Sequence, residues 1–172
     1  MNTNNTMTLY KLIILTLLDS VSYPLTNAIL SDFLLEKEYT TYFTIQQALS
    51  ELTEDGLIAK EQTYNSSYYS LTENGRETFD LFGYTLSPKI RHEITAYLKE
   101  KNHEIIEKTS VFTNYTPARE NEYTVTCRLQ EKNAILMDLS LTVPSEDTAS
   151  KVCAQFQNKN SEIYAYLLKQ LF

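Results

Sequence analysis

Tryptophan is absent, glycine occurs three times and proline four times. Long flexible linkers and low-complexity disorder have little material to draw on. The two cysteines, Cys127 and Cys153, are too few for the disulfide framework of a small secreted domain, and both read as small buried hydrophobes. Two histidines, His92 and His103, fall on one predicted helix about three turns apart, too far to share an ion, so no metal site is expected. The chain has no Gly-rich phosphate loop, no Cys/His cluster and no recognisable Ser, His and Asp motif. The expectation is therefore a protein with no cofactor and no enzymatic activity. Long apolar runs are missing too. Leu12 to Leu18, "LIILTLL", falls far short of the roughly 20 residues a bilayer span requires. The preceding "MNTNNTMT" has no basic start, and Asp19 follows at once, which does not suit a signal peptide. A buried first helix in a cytoplasmic protein off the membrane is expected, with the sequons at Asn4, Asn65 and Asn114 unused.

What is present is a globular composition. The chain has 172 residues, 42% of them hydrophobic and 22% charged, enough for one medium domain or two small ones. Leu9, Leu12, Ile13 and Leu17 recur at helical spacing and predict a first helix over about Thr8 to Ser20. A turn at Tyr23-Pro24 leads to Thr26, which suits an N-cap for a second helix through about Glu36, with Leu30, Phe33 and Leu34 inward. Thr44, with Gln47 three residues on, forms a capping box, so the third helix is expected from Ile45, with Ile45, Ala48, Leu49 and Leu52 inward. Gly56 suits the left-handed position that ends a helix. Leu57 to Gln62 and Tyr68 to Leu71 then read as a hairpin around "TYNSS", and Thr72 with Glu73 opens a fourth helix.

Three helices feeding a hairpin make a winged helix-turn-helix over residues 1–86. The segments "IQQALSELTEDGLI" and "YYSLTENGR" resemble the third-helix and wing signatures of PadR-type winged-helix regulators. The resemblance covers roughly Thr44 to Arg76 and implies that fold and a role in transcription. The whole chain also resembles an uncharacterised bacterial family in which such a domain precedes a second, smaller one, through "EYTTYFTIQQALSEL" and "SPKIRHEITAYL".

From Ser87 to Lys108 one long connecting helix is expected, with Ile90, Ile94, Leu98 and Ile105 on a seam; it anchors a connecting segment over 87–110. Residues 111–172 then read as a small α+β domain for dimerisation or sensing. A short strand is expected around Val111 to Tyr115. Two alternating strands follow, with Tyr123, Val125, Cys127 and Leu129 on one face and Ile135, Met137, Leu139, Leu141 and Val143 on another, joined by a turn at Glu131 to Asn133. One helix opens at Ser145 and a separate one ends the chain in "SEIYAYLLKQLF". The fold class is α+β throughout. PadR proteins instead carry a helical dimerisation tail, so this second unit departs from that pattern.

In a helix-turn-helix the recognition helix lies in the major groove, its N-terminal residues near base edges. The predicted DNA-binding residues are Tyr42, Thr44, Gln46, Gln47 and Ser50 at the third helix, and Lys60, Tyr64, Asn65 and Ser66 on the wing. Glutamine can bond adenine in a bidentate manner, and Lys89 and Arg91 lie near enough in sequence to reach a phosphate. Double-stranded DNA is the expected partner of a homodimer, and any small-molecule effector is left open. Charge sets a counterweight. Up to Leu86 four cations stand against eleven anions, a balance of −7 equal to the net charge of the whole chain. Lys and Arg supply most non-specific DNA affinity, so the alternative is a protein-interaction module that uses an acidic surface.

Overall fold

A computed structural model describes residues 3–131 and 134–172; Lys132 and Asn133 of the expected Glu131 to Asn133 turn lie outside the described residues. The chain divides into two compact units, residues 1–62 with 66–105, and residues 63–65 with 106–172.

The first unit is built around α1 (Thr3–Asp19). Every residue from Leu12 to Leu18 is buried, which explains why this helix is apolar on all sides rather than along one stripe. Its one polar residue there, Thr16, returns its hydroxyl to the Leu12 carbonyl at 2.7 Å. A two-residue strand, β1 (Leu25–Thr26), precedes α2 (Asn27–Glu36), which Thr26 caps by accepting from the Ile29 amide. Next comes α3 (Tyr42–Glu54), whose N-cap is Thr41. The expected Thr44–Gln47 capping box is therefore corrected: Thr44 lies inside the helix and donates its own amide to the Thr41 hydroxyl. Gly56, at φ +68°, closes α3. The Leu57 amide reaches back to the Leu52 carbonyl and the Gly56 amide to that of Thr53, the paired bonds of a Schellman motif.

Strands β2 (Ile58–Gln62) and β3 (Ser67–Leu71) pair antiparallel, and β1 joins the far side of β3, Leu25 opposite Tyr69. The chain order α1-β1-α2-α3-β2-β3 with sheet order β1-β3-β2 is a winged helix-turn-helix. Thr72 caps α4 (Glu73–Phe82). A single 3-10 turn, Gly83–Thr85, leads to α5 (Pro88–Glu100), capped by Ser87. The long helix expected over 87–108 is two: α5 stops at Lys101, and α6 spans Asn102–Ser110. Lys101 sits at the break, its ammonium 3.6 Å from Glu36 and 3.9 Å from Glu104. His92 and His103 thus belong to different helices. Tyr97 of α5 packs edge-on against Phe33 and donates to the Ile29 carbonyl, so α5 is fastened to α2.

In the second unit β4 (Val111–Arg119), β5 (Glu122–Glu131) and β6 (Ala134–Val143) form an antiparallel sheet in that order. The strand expected to be short, at Val111 to Tyr115, runs on to Arg119. Leu129, Cys127, Val125 and Tyr123 stand opposite Met137, Leu139, Leu141 and Val143, so the two apolar rows lie on one face. Ile135 falls out of that row, because a register shift between Leu129 and Gln130 sets it opposite Gln130. One helix, α7 (Glu146–Leu171), covers the sheet where two were expected. Within the polar run "NKNS" Asn160 bonds back to the Gln157 carbonyl, and the helix continues through it. Val125, Cys127, Met137, Ala149, Cys153 and Phe156 form the core.

Candidate nucleic-acid interface

The outward surface of α3 begins with two aromatic side chains, Tyr42 at 53% and Phe43 at 88% exposure. Phe43, Gln47, Ser50 and Glu54 follow at helical spacing on one face. Phe43 was not among the residues expected from the sequence, and the helix start at Tyr42 brings it into the first turn.

The structure sorts the predicted DNA-binding residues into three groups. Tyr42, Gln47 and Ser50 are exposed on α3. Gln47 donates to Glu51 at 2.8 Å and Ser50 to Glu54 at 2.9 Å, both within the helix surface. Two others are occupied in holding the fold. Thr44 completes the N-terminal cap, its hydroxyl 3.0 Å from that of Thr41. Gln46 exchanges two amide hydrogen bonds with Asn27, at 2.9 and 3.0 Å, locking the start of α2 to α3. The third group lies on the hairpin. Lys60 is exposed on β2, and among the described residues it forms no ion pair. The Ser66 carbonyl accepts from Gln62 and the Asn65 side chain accepts from Thr63. Tyr64 belongs to the second unit: its ring lies 5.0 Å from that of Tyr115, and its amide donates to Asn114 at 3.2 Å.

Of the two cations expected to reach a phosphate, Arg91 turns its guanidinium to the carbonyls of Gly83 and Leu86, while Lys89 is exposed beside Glu93. No Lys or Arg lies in α3. Its carboxylates are met from α1 instead, where the Lys11 ammonium sits 3.0 Å from Glu51 and 3.4 Å from Asp55. Partial burial pulls the Lys11 pKa down, but hydrogen bonds and charge from Glu51 and Asp55 outweigh it and leave it above the ordinary value. The hydrogen bond from Lys11 holds the Glu51 carboxyl below its usual range, with a second from Gln47.

Other candidate chemistry is sparse. An open cleft of about 410 Å³ in the first unit lies between the 20–23 loop and Leu98, Lys99 and Asn102, and Tyr23 and Lys99 are its only titratable groups. Among the described residues no group of three or more His, Cys, Asp or Glu is placed to hold a metal ion, and no helix is long and apolar enough to cross a membrane.

Fold and surface together define a winged helix-turn-helix protein with an added three-stranded α+β unit. The chain belongs to the family described as a domain of unknown function (DUF4364), which matches residues 10–171. No curated protein and no solved structure matches the chain.

Proposed function

We propose that this protein is a DNA-binding transcriptional regulator of PadR-like winged-helix type, acting in the cytoplasm as a homodimer. The observation that carries the reading is the exposed first half of α3, presented by the winged-helix scaffold in the position of a recognition helix. Phe43 can meet a thymine methyl and Gln47 an adenine edge; Tyr42 and Ser50 flank them. Lys60 on β2 supplies a phosphate contact from the wing. Thr44 and Gln46 act indirectly, by fixing the start of α3 and its attachment to α2.

The test is retention of sheared DNA from the source genome by the purified chain, at low and moderate salt, followed by sequencing. Enrichment of a short two-fold symmetric site supports the reading, and Gln47→Ala or Phe43→Ala should then relax preference at particular bases rather than weaken binding to all sequences. Uniform or absent retention at both salt concentrations sinks it. One observation favours a second reading, a protein-interaction module. Glu51, Glu54 and Asp55 gather at the far end of α3, where Lys11 meets Glu51 and Asp55, and the uncharged aromatic pair Tyr42 and Phe43 stands at its start. Under that reading a basic partner binds through α3, and Phe43→Ala abolishes its capture while leaving nothing to measure on DNA.

A further inference from the structure

Guanine presents the acceptors N7 and O6 to the major groove, and the side chains that read it are Arg and Lys. The α3 sequence, "YFTIQQALSELTE", contains neither. Lys11 of α1 stands close by but is held by Glu51 at 3.0 Å and Asp55 at 3.4 Å. Cytosine offers an N4 donor that a carboxylate accepts. The carboxylates of α3 lie at its far end, whereas the N-terminal residues of a recognition helix come nearest to base edges. Glu51 is also engaged by Lys11 and Gln47, and Glu54 by Ser50. G·C pairs therefore find no matching side chain at the start of this helix.

A·T pairs find two. The Phe43 ring, 88% exposed in the first turn of α3, stands almost wholly in water and gains from any apolar surface it meets. On base edges in the major groove that surface is the C5 methyl of thymine. Gln47, four residues on, shares the face of Phe43, and its amide offers the donor and acceptor that match adenine N7 and N6. Its bond to Glu51 uses one amide hydrogen; among the described residues the second hydrogen and the carbonyl oxygen have no partner. Charge makes the same choice. With −7 up to Leu86, phosphate neutralisation is a poor source of affinity, and burying a ring against methyl groups needs no cation.

We infer that α3 reads an A·T-centred half-site in which the thymine C5 methyl, met by Phe43, is the principal determinant, with Gln47 on the neighbouring adenine. The inference rests on the DNA-binding role proposed above and deepens it by naming the base pairs. It makes a methyl group, rather than a guanine, the feature recognised, and it assigns the specificity to a side chain that carries no hydrogen-bonding group.

The experiment uses the full chain and the duplex it enriches from genomic DNA, synthesised once with thymine and once with uracil, which lacks only the C5 methyl. Affinities are measured by fluorescence anisotropy for the wild type, Phe43→Ala and Gln47→Ala. The wild type should bind the uracil duplex more weakly, by about fourfold for each contacted methyl removed. Phe43→Ala should bind both duplexes alike, with an unchanged salt slope because no phosphate contact is lost. Gln47→Ala should keep the preference for thymine. Since the Phe43 ring is exposed, its variant should retain the wild-type circular dichroism. A wild type that binds both duplexes equally overturns the inference and leaves DNA binding standing, as does an enriched site centred on G·C. A thymine preference that survives Phe43→Ala overturns it too, because the discrimination then comes from DNA shape. A chain that enriches no duplex removes the regulator and the inference together.

Discussion

A methyl group placed on Gly75 would sit 1.9 Å from the Leu57 carbonyl oxygen, and the obstacle is backbone, which cannot swing away. Thr72, three residues earlier, donates its hydroxyl to the carbonyls of Gly56 and Leu57 at 2.7 and 2.9 Å and accepts from the Gly75 amide. The two segments that resemble regulator signatures are thus one joint, in which the exit of α3 meets the start of α4. Because Ala is otherwise the better helix former by about 1 kcal/mol, a loss on substitution isolates the steric term. Gly75→Ala should destabilise the chain by about 3 kcal/mol, read as a lower urea midpoint with an unchanged slope. Gly83→Ala, which meets only the Phe79 side chain and no backbone, should cost less. The presence of a turn glycine at 56 was legible from sequence. The need for glycine at 75 was not, because it arises from a neighbour distant along the chain.

Among the elements, those governed by local rules were legible and those governed by packing were not. The caps at Thr26 and Thr72 were read correctly, since a side-chain oxygen and an amide three residues on are all they require. At α3, Thr41 and Thr44 both satisfy that rule; the choice of Thr41 adds a turn and brings Phe43 into the helix. Strand β1, at two residues, is too short to show any period. The break between α5 and α6 contains neither glycine nor proline. The attachment of α5 can be tested by pH. Tyr39 donates its hydroxyl to Glu93 of α5; burial, and then that carboxylate, push its pKa up to about 12, against about 10 for a free tyrosine. The folded chain holds this proton more tightly than the unfolded one, so the contribution is complete below pH 10 and is lost as pH rises towards 12. Tyr39→Phe should flatten the fall in stability over that window, measured as urea midpoints at pH 9 to 12. An unchanged profile would mean that the contact contributes nothing. Tyr97 is shifted in the same direction by burial, so some slope should remain.

For the molecule as a whole, charge and copy number decide how any DNA contact behaves. A −7 balance up to Leu86 repels phosphate, so affinity must rest on few cations and on presenting them twice. If Lys60 contacts one phosphate in each copy of a dimer, Lys60→Ala should lower the slope of log K against log salt by about 2, close to 0.9 per contact. A change of about 1 would indicate that one copy engages at a time. The α+β class and the two alternating strands were legible in the sequence; that their apolar rows lie on one face, without Ile135, was not, because it depends on the pairing register. Nor was the place of β6 at the edge of its sheet, because an edge strand is defined by what fails to lie beside it.

Cys127 and Cys153 are both in the core of the second unit and are the only thiols of the chain. Burial raises both pKa values, that of Cys127 to about 12, and it is the thiolate that reacts. The folded chain therefore keeps its sulfur silent towards alkylating reagents, and any labelling marks a moment when that core has opened. Sequence and packing together have given one half of this protein a chemical stopwatch, and the other half none.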